Sequence, residues 1–149
     1  MIIFTDTNLI GSFIIRKFTR SNWSHVAIEH NGMVIESVTH GGVRMVPLNE
    51  FEQRYPRLFK MEIPRKANEK IFNSVKTQIG KKYDWTAIFA FGFNRNWQEK
   101  DAWFCSELIM NGILEAGYQV LNPDIKVSRI TPEDLFKFNL PFIIKNNRS

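Results

Sequence analysis

Cys105 is the chain's one cysteine, and it opens an apolar helical pattern, Cys105-Ser106-Glu107-Leu108-Ile109. A cysteine at a helix start meets the positive end of the helix dipole, which favours thiolate, the nucleophilic form, over thiol. Such a nucleophile needs a base with a pKa near working pH, and histidine provides one. His25, in the run Trp23-Ser24-His25-Val26-Ala27-Ile28, is the candidate base. Each residue alone also has a purely structural reading, Cys105 as buried core and His25 as a half-exposed strand residue. Ser24 and Ser106 have no evident base of their own. His25, His30 and His40 lack ligand spacing and no second cysteine exists, so no metal site is expected. Gly41-Gly42 lacks the Lys and helix of a phosphate-binding loop. No cofactor is expected.

Geometry supplies a third candidate. Asn31-Gly32 lies between two β-prone runs, the strongest short hairpin signal a sequence carries. A two-residue loop sets His30 opposite Met33 and Ala27 opposite Glu36. His25, Ala27, Val34, Glu36 and Val38 then share one face. Glu36 becomes the diagonal neighbour of His25, about 7–8 Å away between backbones, a gap a glutamate can bridge to orient the imidazole. The same pairing places His40 opposite Trp23, which makes it the competing orienter, and a three-residue loop would send Glu36 to the other face.

These residues need a frame, and the pattern supplies one. Ile2 to Phe4 reads as a strand, residues 8 to 19 as a helix with an apolar stripe, and Val43 to Val46 as a strand after the hairpin. Residues 57 to 63 alternate as a strand ended by Pro64. Residues 66 to 79 read as a helix with Ile71, Phe72, Val75 and Ile79 inward and Gly80 at its end. Asp84 can cap a short helix from Trp85 to Phe91. The helix from Cys105 to Ala116 is the clearest, and Thr131-Pro132-Glu133-Asp134 is a strong helix start. The result is one α+β domain over residues 1–149, an antiparallel sheet with helices packed on it. Trp23, Tyr83, Trp85 and Trp103 flank the two candidate catalytic segments and are expected to border a substrate groove.

Trp23-Ser24-His25-Val26-Ala27-Ile28 followed by Val34-Ile35-Glu36-Ser37 resembles the histidine strand of the permuted NlpC-like peptidases, a papain-superfamily branch called the YiiX-like or YebB-like group. Gly80-Lys81-Lys82-Tyr83-Asp84-Trp85 and then Phe104-Cys105-Ser106-Glu107-Leu108-Ile109 look like that group's nucleophile region. Thr131-Pro132-Glu133-Asp134-Leu135 is similar to its last helix start. The matches run from about residue 1 to residue 137. The resemblance implies a permuted papain-like fold with Cys105 as nucleophile and His25 as base, then acid. It also implies hydrolysis of an amide in a peptidoglycan-type peptide, or of a lipid ester or amide.

Composition bounds the rest. The chain has 149 residues, 44% of them hydrophobic, which suits a packed core without disulfides or metals. Lys plus Arg number 20 against 15 Asp plus Glu, a net +5 scattered without a basic run. An anionic partner is compatible with that charge, but nucleic acid is not expected. The longest apolar stretch, Trp85 to Phe93, is too short to span a bilayer, and no signal-peptide pattern opens the chain, so a cytoplasmic protein without stable membrane insertion is expected. Action on a cell wall would then require release by lysis or delivery in a particle, as with a phage protein. The expected function is cysteine hydrolysis of a small peptide or acyl substrate. The alternatives are a lipid hydrolase or acyltransferase on the same site, and a binding protein with an inert Cys105. Oligomeric state is not encoded in these patterns.

Overall fold

The structure, a computed structural model, describes residues 1–6, 22–83, 102–122 and 124–146. Its centre is a five-stranded antiparallel sheet in the order β4-β3-β2-β1-β5, built from β1 (Ile2–Thr5), β2 (His25–His30), β3 (Met33–Val38), β4 (Gly42–Pro47) and β5 (Leu58–Met61). The β2–β3 hairpin turns through Asn31 and Gly32, both with positive φ (50° and 79°). That geometry matches the twist of the two strands, and an Asn-Gly pair adopts it readily. The register follows: His30 faces Met33 and Ile28 faces Ile35.

Both faces of the sheet are covered. Ile2, Phe4, Val26, Ile28, Ile35 and Val43 belong to the larger core. Two helices pack on it, α2 (Arg65–Lys76) through Ile71 and Val75 and α3 (Cys105–Glu115) through Leu108, Ile109 and Ile113. The helices α4 (Pro132–Lys137) and α5 (Leu140–Asn146) add Leu135, Leu140 and Ile144, and a 3-10 turn (Val127–Arg129) precedes them. The opposite face packs Ile3, Ala27, Val34 and Val46 against Phe51 of α1 (Leu48–Arg54). With a helix on each side, all four residues of β1 are buried, the continuous pattern of a central strand. Gly112 lets α3 approach α2, since a Cβ there would stand 2.3 Å from Val75 Cγ2.

The segment leading to Cys105 is a two-stranded parallel ribbon, β6 (Lys82–Tyr83) beside β7 (Ala102–Trp103). It is fastened to the sheet at β4, where Val43 N–H donates to the Lys81 carbonyl (2.8 Å) and Gly80 N–H to that of Val43 (2.9 Å). Gly42 has φ 64°, and a Cβ there would lie 2.1 Å from the Lys81 oxygen, so only glycine allows this approach.

Several expectations need revision. The helix expected over 66–79 ends at Lys76. Ile79, assigned inward, is 40% exposed because residues 77–80 form turns that leave the helix face. Helix α1 was not anticipated: its seven residues bury Phe51 alone, too brief a pattern to register as periodic. The helices expected at 8–19 and 85–91 lie outside the described residues. Among the described residues, no helix is long and apolar enough to cross a membrane.

Candidate active site

His25 is the first residue of β2 and Cys105 the first of α3, so each reaches the other from the start of its element. The strand alternation turns the His25 side chain to the same face as Ala27, and there it stacks on rings from α1 and the residue after it. Phe51 lies 6.4 Å away between centroids and Tyr55 5.4 Å away. The same alternation, through the two-residue hairpin, brings Glu36 to this face. Its Oε2 lies 3.0 Å from His25 Nε2. The Cys105 side chain also lies beside the imidazole, close enough to raise its pKa. With Nε2 committed to Glu36, Nδ1 is the ring nitrogen left for the sulfur. Cys105 is 1% exposed, His25 6% and Glu36 0%, so this chain of three groups is shielded from water.

Burial alone would lower the His25 pKa. Hydrogen bonds to Cys105 and Glu36, and negative charge at both, outweigh it and raise the value to about 9. For Glu36, burial would raise the pKa. The hydrogen bond and charge of His25, with the charges of Arg44 and Arg54, overcome this and lower it to about 2. Glu36 is therefore a carboxylate throughout the physiological range.

Four side chains hold that carboxylate. Oε1 accepts from Arg44 Nε (3.1 Å), Arg44 Nη2 (2.9 Å) and Arg54 Nη1 (2.9 Å). Oε2 accepts from Tyr55 Oη (3.0 Å) besides His25. Burial, then the charge of Glu36, push the Tyr55 phenol upward, so it stays a donor. Sequence reasoning did not find Arg44, Arg54 or Tyr55. Arg44 had a signal: the β3–β4 register sets it opposite Glu36, and a loop of three residues at 39–41 would have placed it there. Arg54 and Tyr55 depend on α1, which gave none.

The start of α3 is anchored on several sides. The Glu107 carboxylate curls back to accept from Phe104 N–H (3.3 Å), and Ser106 Oγ donates to the Ile130 carbonyl (2.5 Å). At α4, Asp134 N–H donates to Thr131 Oγ1 (3.1 Å) and Thr131 N–H to Asp134 Oδ2 (2.9 Å), a reciprocal cap at the helix start the sequence marked. Cys105 N–H belongs to the first-turn donors that a helix cannot satisfy internally.

The remaining candidates are spread out. His40 is exposed and shares a contact with Thr39 Oγ1 (3.3 Å); Glu36, not His40, meets the imidazole. Trp23 is buried with Phe4, Phe59 and Phe136, and Arg57 covers its ring at 4.8 Å, which is a core placement. Tyr83 and Trp103 are register partners in the β6–β7 ribbon just before Cys105. Trp85 lies outside the described residues.

No curated protein matches this sequence. Among solved structures the chain is similar to the crystal structure of metalloprotein YiiX from Escherichia coli O157:H7, at 22% identity and a TM-score of 0.59. The match covers 78% of this chain and 64% of that one, so the chain spans just under two thirds of the length of the structure it resembles. At this identity the likeness concerns the fold, a mixed sheet-and-helix arrangement of the kind described above. Residues 1–136 match the model of the permuted papain-like amidase enzymes, the YaeF/YiiX (C92) family, and the chain belongs to that family.

Proposed function

We propose that this chain is a cysteine hydrolase that cleaves an amide bond through an acyl-enzyme on Cys105. One observation carries the reading: a buried imidazole stands between the chain's one cysteine and a buried carboxylate. Family membership supports the same chemistry.

The Cys105 sulfur attacks the carbonyl carbon, forming a C–S bond and a tetrahedral oxyanion. First-turn N–H groups of α3 donate to that oxygen in this reading. The His25 imidazolium protonates the leaving amine as the C–N bond breaks, which leaves a thioester. Neutral His25 then takes a proton from water as its oxygen attacks the thioester. Collapse releases the carboxylic acid and returns the thiolate beside imidazolium. Glu36 accepts the Nε2 hydrogen throughout, so Nδ1 faces the reacting atoms. The substrate class we favour is an amide of a small cell-wall peptide.

The description of the E. coli neighbour calls that protein a metalloprotein. Among the described residues of this chain, no group of three or more His, Cys, Asp or Glu side chains fits a metal ion, so no step is assigned to one.

The test is hydrolysis of peptidoglycan-type peptides and of acyl esters by the wild-type chain and by Cys105→Ala. Amide cleavage lost in Cys105→Ala supports the proposal. Cleavage of esters alone assigns the lipid-type substrate instead. Amide cleavage that survives in Cys105→Ala removes the acyl-enzyme.

A further inference from the structure

A carboxylate has about four lone-pair positions, and Glu36 meets five donor atoms from four side chains. The donors are sorted by oxygen. The two arginines take Oε1, and Tyr55 shares Oε2 with His25. The terminal torsion of a glutamate is otherwise soft, with little intrinsic preference for one orientation. Arg44 and Arg54 approach from outside, their side chains 37% and 29% exposed while Glu36 is fully buried. The Tyr55 ring lies against the imidazole as its hydroxyl reaches the carboxylate.

We propose that Arg44, Arg54 and Tyr55 are positioning residues: they fix the Glu36 carboxylate so that Oε2 is presented to His25 Nε2, and thereby keep the other ring nitrogen on Cys105. This rests on the reading of Cys105 and His25 as the reacting pair. Among the described residues, the titratable groups facing the imidazole are Cys105 from α3, Glu36 from β3 and Tyr55 after α1, with Arg44 and Arg54 behind Glu36.

Charge and placement make opposite demands here, which renders the proposal testable. As bare charges, both arginines repel an imidazolium, so deleting one would raise the His25 pKa. As clamps they hold the carboxylate that sustains the imidazolium, so deleting one lowers it. A lysine keeps the charge but not the planar fork through which Arg44 donates twice.

The probe is iodoacetamide, which needs no knowledge of the substrate and has a single cysteine to alkylate. Labelling rates across pH are paired with NMR titration of the His25 ring in the full chain. In the wild type the ring titrates near 9. In Arg44→Gln we expect its titration to fall by about one unit, with labelling near neutral pH slowed several-fold. Arg44→Lys should not rescue it. Tyr55→Phe, which keeps the ring and its packing, should show a smaller shift in the same direction. In a Glu36→Gln background, Arg44→Gln should change the labelling rate by less than about twofold, because it acts through Glu36. An upward shift in Arg44→Gln, rescue by lysine, or full additivity with Glu36→Gln overturns the proposal and leaves the reacting pair standing. A wild-type Cys105 that labels at neutral pH no faster than a free thiol, with no change in His25→Gln, overturns the pair itself.

Discussion

Glu36 and Arg44 face each other across β3 and β4, and the arginine donates both Nε and Nη2 to the carboxylate oxygen that His25 does not use, at 3.1 and 2.9 Å. The carboxylate is thus neutralised on one oxygen and acts on the imidazole with the other, which Tyr55 shares. This division predicts how the fold and its chemistry respond to pH and to substitution.

Stability should fall on both sides of a plateau. His25 titrates at about 9 in the fold against an ordinary 6.5, so the folded state holds a proton that the unfolded chain releases. That contribution is complete below about 6.5 and is lost as pH rises through about 9. Glu36 is lowered to about 2 from 4.5, so its contribution is present above about 4.5 and is lost as pH falls through about 2. Urea midpoints measured across pH should decline on each side, and Glu36→Gln should flatten both limbs. A wild-type midpoint unchanged between 6.5 and 9 would contradict the alkaline half.

Glu36→Gln should also destabilise the chain at neutral pH. The substitution keeps the shape, yet it leaves two arginine heads around a neutral amide. Breaking one side of a buried ion pair costs about 3–5 kcal/mol, and the partial exposure of both arginines places this variant at or below the lower end. Activity should drop by at least about tenfold through kcat with KM little changed, because Glu36 touches the imidazole and not the substrate. A rise confined to KM would place Glu36 in substrate binding instead.

Gly42→Ala should loosen the ribbon that leads to the nucleophile. Its Cβ would meet the Lys81 carbonyl at 2.1 Å on a backbone with φ 64°. Strain of this kind costs about 1–3 kcal/mol, plus the loss of the hydrogen bonds that tie residues 80 and 81 to Val43. The denaturation midpoint should fall with an unchanged slope. Gly32→Ala, with φ 79° but open space around it, should cost only about 1 kcal/mol. Equal losses at the two sites would show that the close approach at Gly42 is unimportant.

Gly112→Ala should force α2 and α3 apart, since the added methyl meets Val75 Cγ2 at 2.3 Å. Overpacking of this sort costs about 1–3 kcal/mol. Adding Val75→Ala removes the clashing methyls, so the double variant should recover part of the loss. A double variant less stable than the sum of both singles would rule out this contact as the cause.

Much of this arrangement was legible in the sequence where one local rule decides the geometry. Asn31-Gly32 fixed the hairpin length, and the length fixed which face carries Glu36. Thr131-Pro132 marked the start of α4, and the stripe from Cys105 marked α3. What stayed hidden has a physical reason in each case. Helix α1 is short and buries one residue, so no periodicity announces it, and Arg54 and Tyr55 remained hidden with it. Arg44 needed the β3–β4 register, which the left-handed pair Gly41-Gly42 leaves open in sequence. Trp23 illustrates the opposite error: proximity to His25 in sequence suggested a groove, yet Trp23 precedes β2, escapes its alternation, and packs in the aromatic cluster on the other side of the sheet.

Cys105 is packed in the larger core, whereas His25 leans on Phe51 in the smaller one, so their contact joins the packing layers on the two faces of one sheet. The reacting pair therefore works as a gauge of how the helices of those two layers sit on the sheet. A displacement far too small to register as unfolding already separates sulfur from imidazole. On heating, fast alkylation of Cys105 should disappear several degrees before ellipticity does, and Phe51→Leu should widen that interval without changing any residue in the cysteine's own core.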